Sequence, residues 1–161
     1  MLEFKVVKID PLQDCNVIVG MAHFIKTVED LYEALVNAVP GVKFGIGFCE
    51  SSGPCLIRYE GNDLELEDKA AKKALEIGCG HTFIIFLKKA FPINVLDKIK
   101  NIPELCTIFA ATANPLEIVV AETKQGRGII GVIDGFKNKG VEVEADKEER
   151  KSFLRKIGYK L

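Results

Sequence analysis

Small polar and charged residues follow three apolar stretches in the second half of the chain, where they could bind a hydroxylated or anionic ligand. In chain order these residues are Thr112 and Asn114, Glu122 and Thr123, and Asp134 and Gly135. Arg127 lies between Gly126 and Gly128, so the backbone around this cation can approach a ligand closely. The combination suits a sugar phosphate or a nucleoside, although it does not identify the ligand by itself.

A histidine stands between the second predicted strand and the first predicted helix, in the sequence Gly20-Met-Ala-His-Phe. Helix-terminal N–H groups at such a place can bind a phosphate. Because neutral imidazole is a nucleophile, His23 could carry a phosphoryl group. The alternative is a partly buried histidine bonded to a backbone carbonyl. His81 allows the same two interpretations, but the glycines before it could simply end a helix.

A polar turn follows the third predicted strand and contains Ser51, Ser52 and Gly53. Its free backbone N–H groups could bind a small anion, and the alternative is an ordinary loop. The letters Gly126-x-Gly128-x-x-Gly131 match a dinucleotide-binding motif. The β-branched residues 129–133 predict a strand where that motif needs a helix, so we discount it.

The polar residues at the three strand ends also have simple structural interpretations. Asp134 could accept a proton, bind a ribose or hold Mg²⁺, or it could begin a turn with Gly135. Glu122 and Arg127 could pair with each other across a hairpin. Asn114, which precedes a proline, could form a turn.

Apolar periodicity predicts strands and helices in alternation. The predicted strands cover residues 2–9, 16–21, 43–49, 55–60 and 82–87, followed by three more between 106 and 135, with a turn at Pro11, Gln13 and Asp14. The predicted helices begin at an N-cap Thr27, an N-cap Asp63, Pro92 and an Asp146–Glu149 capping pair. Residues 83–86 and 129–133 predict sheet that is buried on both faces. We therefore predict one α/β domain over residues 1–161, a three-layer α/β/α sandwich with a mixed β-sheet.

Composition excludes several classes of function. The chain is 48% hydrophobic and 28% charged with a net charge of −1, which argues against nucleic-acid and membrane-surface binding. No apolar run could cross a bilayer, and the charged N-terminus does not resemble a secretory signal, so we predict a cytoplasmic protein. The five cysteines contain no Cys-x-x-Cys pair and are expected to be reduced, with Cys49 and Cys106 buried in strands. No His/Cys cluster predicts a metal site.

Several segments together resemble the adenosine-specific kinases, a family of small archaeal and bacterial proteins. The matching segments run in order along essentially the whole chain: Gly20-Met-Ala-His-Phe-Ile-Lys-Thr-Val-Glu-Asp-Leu, Lys43-Phe-Gly-Ile-Gly-Phe-Cys-Glu-Ser-Ser-Gly, Gly61-Asn-Asp, Gly80-His-Thr-Phe, Phe91-Pro-Ile-Asn-Val-Leu, Ala111-Thr-Ala-Asn-Pro, Ala121-Glu-Thr, Gly126-Arg-Gly-Ile-Ile-Gly-Val-Ile-Asp-Gly and Arg155-Lys-Ile-Gly-Tyr-Lys.

The resemblance implies a three-layer fold, a homo-oligomer built on a trimer, affinity for adenosine or AMP, and a phosphorylated histidine, for which His23 is the matching position. On this hypothesis Arg127 and the backbone N–H groups of Ser52 and Gly53 would neutralise a phosphoryl group, Ser51 would help to bind the substrate, and Asp134 would bind the ribose or act as a base. Asn114, Glu122 and Gly128 complete the expected site. We predict no permanently bound cofactor, and Mg²⁺ arriving with ATP or another phosphoryl donor. The alternatives are a non-catalytic AMP or adenosine sensor and a structural oligomer.

Overall fold

The computed structural model describes residues 1–10 and 12–161, and this part of the chain forms eight strands and four helices. The strands are β1 Glu3–Ile9, β2 Asn16–Ala22, β3 Lys43–Cys49, β4 Ile57–Gly61, β5 Thr82–Lys88, β6 Leu105–Thr112, β7 Leu116–Glu122 and β8 Arg127–Asp134. The helices are α1 Thr27–Val36, α2 Leu64–Ile77, α3 Pro92–Lys100 and α4 Glu144–Lys156. Pro11, part of the first predicted turn, lies outside the described residues.

A five-stranded sheet in the order β4-β3-β5-β2-β6 forms the centre of the fold. Its strands carry apolar side chains on both faces, and consecutive residues of β5 such as Phe83 and Ile84 belong to two separate clusters of buried side chains. Helices α1 and α3 cover one face. Helix α2 and a second sheet, in the order β1-β7-β8, cover the other face.

The second sheet is buried on its inner side only. Leu116, Ile118 and Val120 of β7 point into the core. The two edge strands, β1 and β8, carry large apolar side chains that are more than half exposed: Phe4, Val6, Ile130 and Ile133. The expectation that residues 129–133 are buried on both faces is therefore wrong.

The predicted α/β class is confirmed, while the predicted mixed sheet is wrong. All six pairings between the described strands are antiparallel, and the strands form two sheets instead of one. One side of the central sheet is covered by a helix together with a sheet, so a three-layer α/β/α sandwich remains a prediction. Apolar runs indicate that a strand is buried, but they carry no information about the direction of its neighbour.

Helix α2 begins and ends where its sequence signals place it. The Asp63 side chain accepts a hydrogen bond from the Leu66 backbone N–H, and Gly78 ends the helix in the left-handed region at φ +58°. The helix approaches β3 very closely because two positions of that strand, Gly45 and Gly47, have no side chain. A Cβ atom at Gly45 would lie 2.1 Å from the Leu66 carbonyl carbon.

Two other helices begin differently from the prediction. Thr27 is the first residue of α1 instead of its N-cap, and its hydroxyl donates to the Phe24 carbonyl oxygen at 2.5 Å. Helix α4 starts before Asp146, whose carboxylate accepts the Val143 backbone N–H at 2.8 Å. No residue of α4 is buried, and its predicted apolar face, which includes Phe153, is largely exposed.

The cysteines divide into two groups by exposure. Cys15, Cys49 and Cys79 are buried, whereas Cys55 and Cys106 are exposed, and all five are free thiols. Cys49 therefore lies in the core as predicted, but the same prediction is wrong for Cys106. Among the described residues, no helix is long and apolar enough to cross a membrane.

Candidate functional site

A cavity of about 550 Å³ opens where the β7–β8 hairpin meets the C-terminal end of α2 and the turn after β3. Its polar and glycine lining includes Ser51, Gly80, Thr123, Gly126, Arg127 and Gly128. Ligand-binding cavities typically have volumes of roughly 300–1,000 Å³, so a nucleoside-sized molecule fits this space.

Arg127 is fixed at one wall of this cavity by two contacts. Its Nε donates to Glu122 Oε2 at 2.8 Å, and its Nη1 donates to the Glu76 carbonyl oxygen at 3.1 Å. Glu122 and Arg127 are opposite each other in the β7–β8 pairing, so the expectation that they pair across a hairpin is confirmed.

The cluster formed by Lys5, Glu122 and Arg127 carries a net positive charge. Lys5 Nζ lies 2.5 Å from Glu122 Oε2, so one carboxylate faces two cations. Hydrogen bonds from Lys5 and then Arg127 lower the pKa of Glu122, which keeps it ionised. Within the described part of the chain, Arg127 Nη2 makes no hydrogen bond, so its N–H groups remain available for an anion.

Glycines allow the three segments around the cavity to lie close together. A Cβ atom at Gly80 would lie 2.7 Å from the Cβ atom of Ser51, so any larger residue would push the turn after β3 outward. A Cβ atom at Gly128 would have no atom within 4 Å, which leaves the backbone of β8 open to the cavity. The glycines therefore set both the width of the cavity and its access.

The turn after β3 is fixed by Glu50. Its carboxylate accepts the Leu56 backbone N–H at 2.9 Å and a hydrogen bond from Arg58 Nη2 at 3.1 Å, and the Leu56 contact is the main reason why its pKa is lowered. Ser51 lines the cavity, while Ser52 and Gly53 follow as exposed residues of the same turn. Gly53 has φ +62°, which this tight turn requires.

His23 lies at the same edge of the five-stranded sheet as this turn, but it does not line the cavity. The Ala22 N–H donates to the His81 carbonyl oxygen at 3.0 Å, and the His81 N–H donates to that of Cys49 at 2.7 Å. The end of β2, the start of β5 and the end of β3 therefore lie side by side. With strands about 4.8 Å apart, the backbones of His23 and Ser51 are separated by about 10 Å.

Only part of the helix start beside His23 offers the free N–H groups that we expected there. The N–H groups of Thr27, Val28 and Glu29 donate to the carbonyl oxygens of Phe24, Ile25 and Lys26 in the preceding turn. In the described part of the chain, the backbone N–H groups of Phe24, Ile25 and Lys26 donate no hydrogen bond, so they could face an anion beside His23.

His81 occupies a constrained position nearby. Its backbone is in the left-handed region at φ +64°, which is uncommon for a residue with a side chain. Its ring centroid lies 6.1 Å from that of Phe48, on the face of the sheet that α1 covers.

Glu104 is a residue beside His23 that the sequence did not single out. Its side chain is 2% exposed, and its Oε2 accepts a hydrogen bond from Lys26 Nζ at 3.0 Å. A charged residue next to Pro103 resembles an ordinary surface turn, so no sequence signal could have found it.

Asp134 and Asn114 lie away from the cavity within one chain. Asp134 Oδ1 accepts hydrogen bonds from the Thr112 hydroxyl at 2.7 Å and from Asn114 Nδ2 at 3.3 Å. Thr112 pairs with Val17, six residues before His23 along the direction of β2, so about 20 Å separates Thr112 from His23 along the sheet.

The expected convergence of all the predicted residues around one ligand therefore does not occur within one chain. Gly135 has φ +67°, and its N–H donates to the Pro115 carbonyl oxygen beside the β7–β8 pairing, so the chain bends at this residue and the contact is one between strands. In the described part of the chain, no three His, Cys, Asp or Glu side chains are grouped so that they could hold a metal ion.

Comparison with known proteins identifies the family. The sequence profile described as adenosine specific kinase matches residues 7–160. The chain belongs to the adenosine-specific kinase family. It is also similar to the PH1918 protein from Pyrococcus horikoshii OT3, whose crystal structure superposes with a TM-score of 0.96 at 48% sequence identity, covering 100% of this chain and 99% of that one. A comparison with curated proteins finds no match.

Family membership confirms the resemblance stated from the sequence and supports a function related to adenosine. In this member of the adenosine-specific kinase family, the cavity brings together Ser51, Arg127 and Gly128, with Glu122 behind the arginine. His23 shares that edge of the sheet, and Asp134 lies at the opposite end of β8 from Arg127.

Proposed function

We propose that the protein binds adenosine or AMP in the cavity beside Arg127 and transfers a phosphoryl group to adenosine. The observation that carries the proposal is a guanidinium with free N–H groups, held by Glu122 and Glu76, at the wall of a cavity large enough for a nucleoside. The surplus positive charge of Lys5, Glu122 and Arg127 favours a ligand with an anionic group. Membership of the adenosine-specific kinase family supports adenosine as the nucleoside.

His23 is the proposed carrier of the phosphoryl group. A neutral imidazole nitrogen attacks the terminal phosphorus of a donor such as Mg²⁺-ATP, and the bond to the leaving ADP oxygen breaks. The 5′-hydroxyl of adenosine then attacks the phosphorus and gives its proton to a base, the N–P bond breaks, and AMP and neutral His23 are formed. His23 is exposed, so it is accessible to a donor.

The second step has to bring the phosphoryl group to the nucleoside. The backbone of His23 is about 10 Å from that of Ser51 across two strand spacings. A movement of the turn after β2, or a neighbouring copy of the chain, would have to close this distance.

Self-association is part of the proposal because one chain does not bring Asp134 to the cavity. The exposed apolar side chains of β1 and β8, Phe4, Val6, Ile130 and Ile133, support a homo-oligomer. In such an assembly Asp134 of one protomer could act as base, or bind the ribose, in the cavity of another.

The binding half of the proposal is tested by calorimetry with adenosine, AMP and ATP. Arg127→Met should weaken AMP binding at least tenfold and adenosine binding much less, because only AMP presents an anion to the guanidinium. Arg150→Met is the matched control, since Arg150 forms an exposed pair with Glu142 on α4. If Arg127→Met weakened AMP and adenosine binding equally, or weakened neither, the phosphate of AMP would have to bind away from Arg127.

The catalytic half is tested by labelling with ATP that carries a radioactive terminal phosphate. His23→Asn should abolish acid-labile label and AMP formation while nucleoside binding survives, and His81→Asn should retain both. Label that persists in His23→Asn would move the assignment to another residue.

A non-catalytic sensor is the second candidate function, because the Arg127 cavity is complete without His23. Tight adenosine or AMP binding by the wild-type protein without turnover would favour the sensor. A purely structural oligomer predicts no rise in melting temperature with either ligand.

A further inference from the structure

Glu104 is the only Asp, Glu, Lys or Arg side chain that is buried in the described part of the chain. It lies just before β6, at the edge of the sheet where β2 ends. Burying a carboxylate is unfavourable unless it is paired and hydrogen-bonded, so this position requires an explanation.

Glu104 holds the segment between β2 and α1 at two points. Its backbone oxygen accepts the His23 N–H at 3.1 Å, and its carboxylate Oε2 accepts a hydrogen bond from Lys26 Nζ at 3.0 Å. Lys26 also pairs with Asp30 in the first turn of α1. One residue therefore fixes both the backbone of His23 and the cation that follows it by three positions.

The pairing of Glu104 is incomplete. Its second oxygen, Oε1, is buried and has no hydrogen-bond partner among the described residues. A buried acceptor without a partner weakens the fold, and buried polar groups in proteins are usually paired. Stability alone therefore does not account for a glutamate at this position.

We propose that Glu104 is a positioning residue for the phosphoryl-carrying His23, and that it holds Lys26 where this ammonium binds the phosphoryl oxygens on the imidazole. The inference rests on the proposed function of His23. An ammonium has three N–H donors, and Asp30 and Glu104 occupy two of them, so one remains. Lys26 would therefore add a charged side-chain donor to the backbone N–H groups that precede α1. Glu104 itself transfers no proton.

Asp30 and Glu104 are the charged groups in direct contact with Lys26, and both raise its pKa. Glu29 on α1, with Arg58 and Glu60 on β4, lines the cavity that Lys26 faces. When Glu104 loses its charge, the pKa of Lys26 should therefore fall towards its ordinary value.

Glu104→Gln tests the proposal because it keeps the shape of the side chain and removes its charge. With radiolabelled ATP and Mg²⁺, we expect the labelling rate of His23 to fall at least tenfold, while adenosine affinity stays within twofold. The labelling rate should also begin to fall at a lower alkaline pH than in the wild type, because Lys26 loses its proton more easily. A merely structural role of Glu104 would not produce this shift. Glu65→Gln is the matched control, since Glu65 forms an exposed pair with Lys88.

A double variant tests whether Glu104 acts through Lys26. Lys26→Met combined with Glu104→Gln should be labelled no more slowly than Lys26→Met alone. The proposal would be overturned if the fold loss of labelling rate in the double variant equalled the product of the losses in the two single variants. Wild-type labelling with an unchanged pH profile in Glu104→Gln would also overturn it.

Hydrogen exchange at the His23 amide separates this inference from the proposed function. Glu104→Gln should accelerate that exchange at least fivefold, and Glu65→Gln should leave it unchanged. If the wild-type protein takes no label, the proposed function fails and the role of Lys26 in phosphoryl binding fails with it. Unchanged exchange in Glu104→Gln would overturn the positioning role whether or not the protein is labelled.

Discussion

A methyl group added at Gly45 should push helix α2 away from the central sheet. A Cβ atom there would lie 2.1 Å from the carbonyl carbon and 2.2 Å from the carbonyl oxygen of Leu66. Carbon atoms pack at about 3.5–4.0 Å, so the helix would have to move by more than about 1 Å. Main-chain atoms cannot rotate away as a flexible side chain can, so the whole helix has to respond.

The expected loss of stability follows from the side chains that α2 buries against the central sheet. Leu66, Ala70, Ala74 and Ile77 all pack against the sheet, and shifting them opens gaps in the core. Overpacking a core costs about 1–3 kcal/mol, and a backbone clash belongs at the upper end. We expect Gly45→Ala to lower the free energy of unfolding by about 3 kcal/mol, after the small gain from a less flexible unfolded chain.

Gly131→Ala is the matched control. A Cβ atom at Gly131 in β8 would meet nothing within 4 Å, so the same substitution should be neutral or stabilise by up to about 1 kcal/mol. Urea unfolding at constant m-value measures both variants. Midpoints that coincide for Gly45→Ala and Gly131→Ala would refute the close approach of α2 to β3.

The same displacement should reach the binding site. Arg127 Nη1 donates to the Glu76 carbonyl oxygen in the last turn of α2, so a shifted helix moves the wall of the cavity. Calorimetry should therefore show weaker AMP binding in Gly45→Ala under conditions where the variant remains folded, and Gly131→Ala should bind normally.

Three further predictions concern thiols, a helix cap and acid. In the native protein at pH 8, a thiol reagent should modify two cysteines quickly and three only after unfolding, because burial raises the pKa of Cys49 to about 12 and that of Cys79 to about 11. Asp63→Ala should lower stability by about 1 kcal/mol in urea unfolding, since the Leu66 N–H loses its acceptor. The Lys26 ammonium lowers the pKa of Asp30, so stability from this pair is present above pH 4 and lost below it; Asp30→Asn should flatten the dependence of the urea midpoint between pH 5 and pH 2.

The sequence predicted helix ends well where the interacting groups lie within the same helix. Helix α3 covers Pro92–Lys100 as predicted, because a proline at the first position and a regular apolar spacing act within one helix. The cap at Asp63 succeeded for the same reason. Thr27 failed as an N-cap because the turn before α1 supplies backbone acceptors to the helix N–H groups, so no side-chain cap is needed.

Predictions that depend on distant partners were less accurate. The sequence of β8 resembles a strand buried on both faces, yet β8 is an edge strand with an exposed outer side. Polar residues at strand ends were expected to meet, but the antiparallel pairing of β7 and β8 places Glu122 and Asp134, the last residues of the two strands, at opposite ends of the sheet. Only the register could reveal this, and composition does not encode it locally.

Helix α4 introduces a second equilibrium into the folding of this chain. Its 13 residues bury none of their side chains, and a free helix of this length is marginal in water. Its melting should therefore be uncoupled from the cooperative loss of the two sheets. A thermal scan of the isolated protomer would then record a broad, early decrease of helical signal before the main transition, and treating the scan as two-state would underestimate the enthalpy of unfolding.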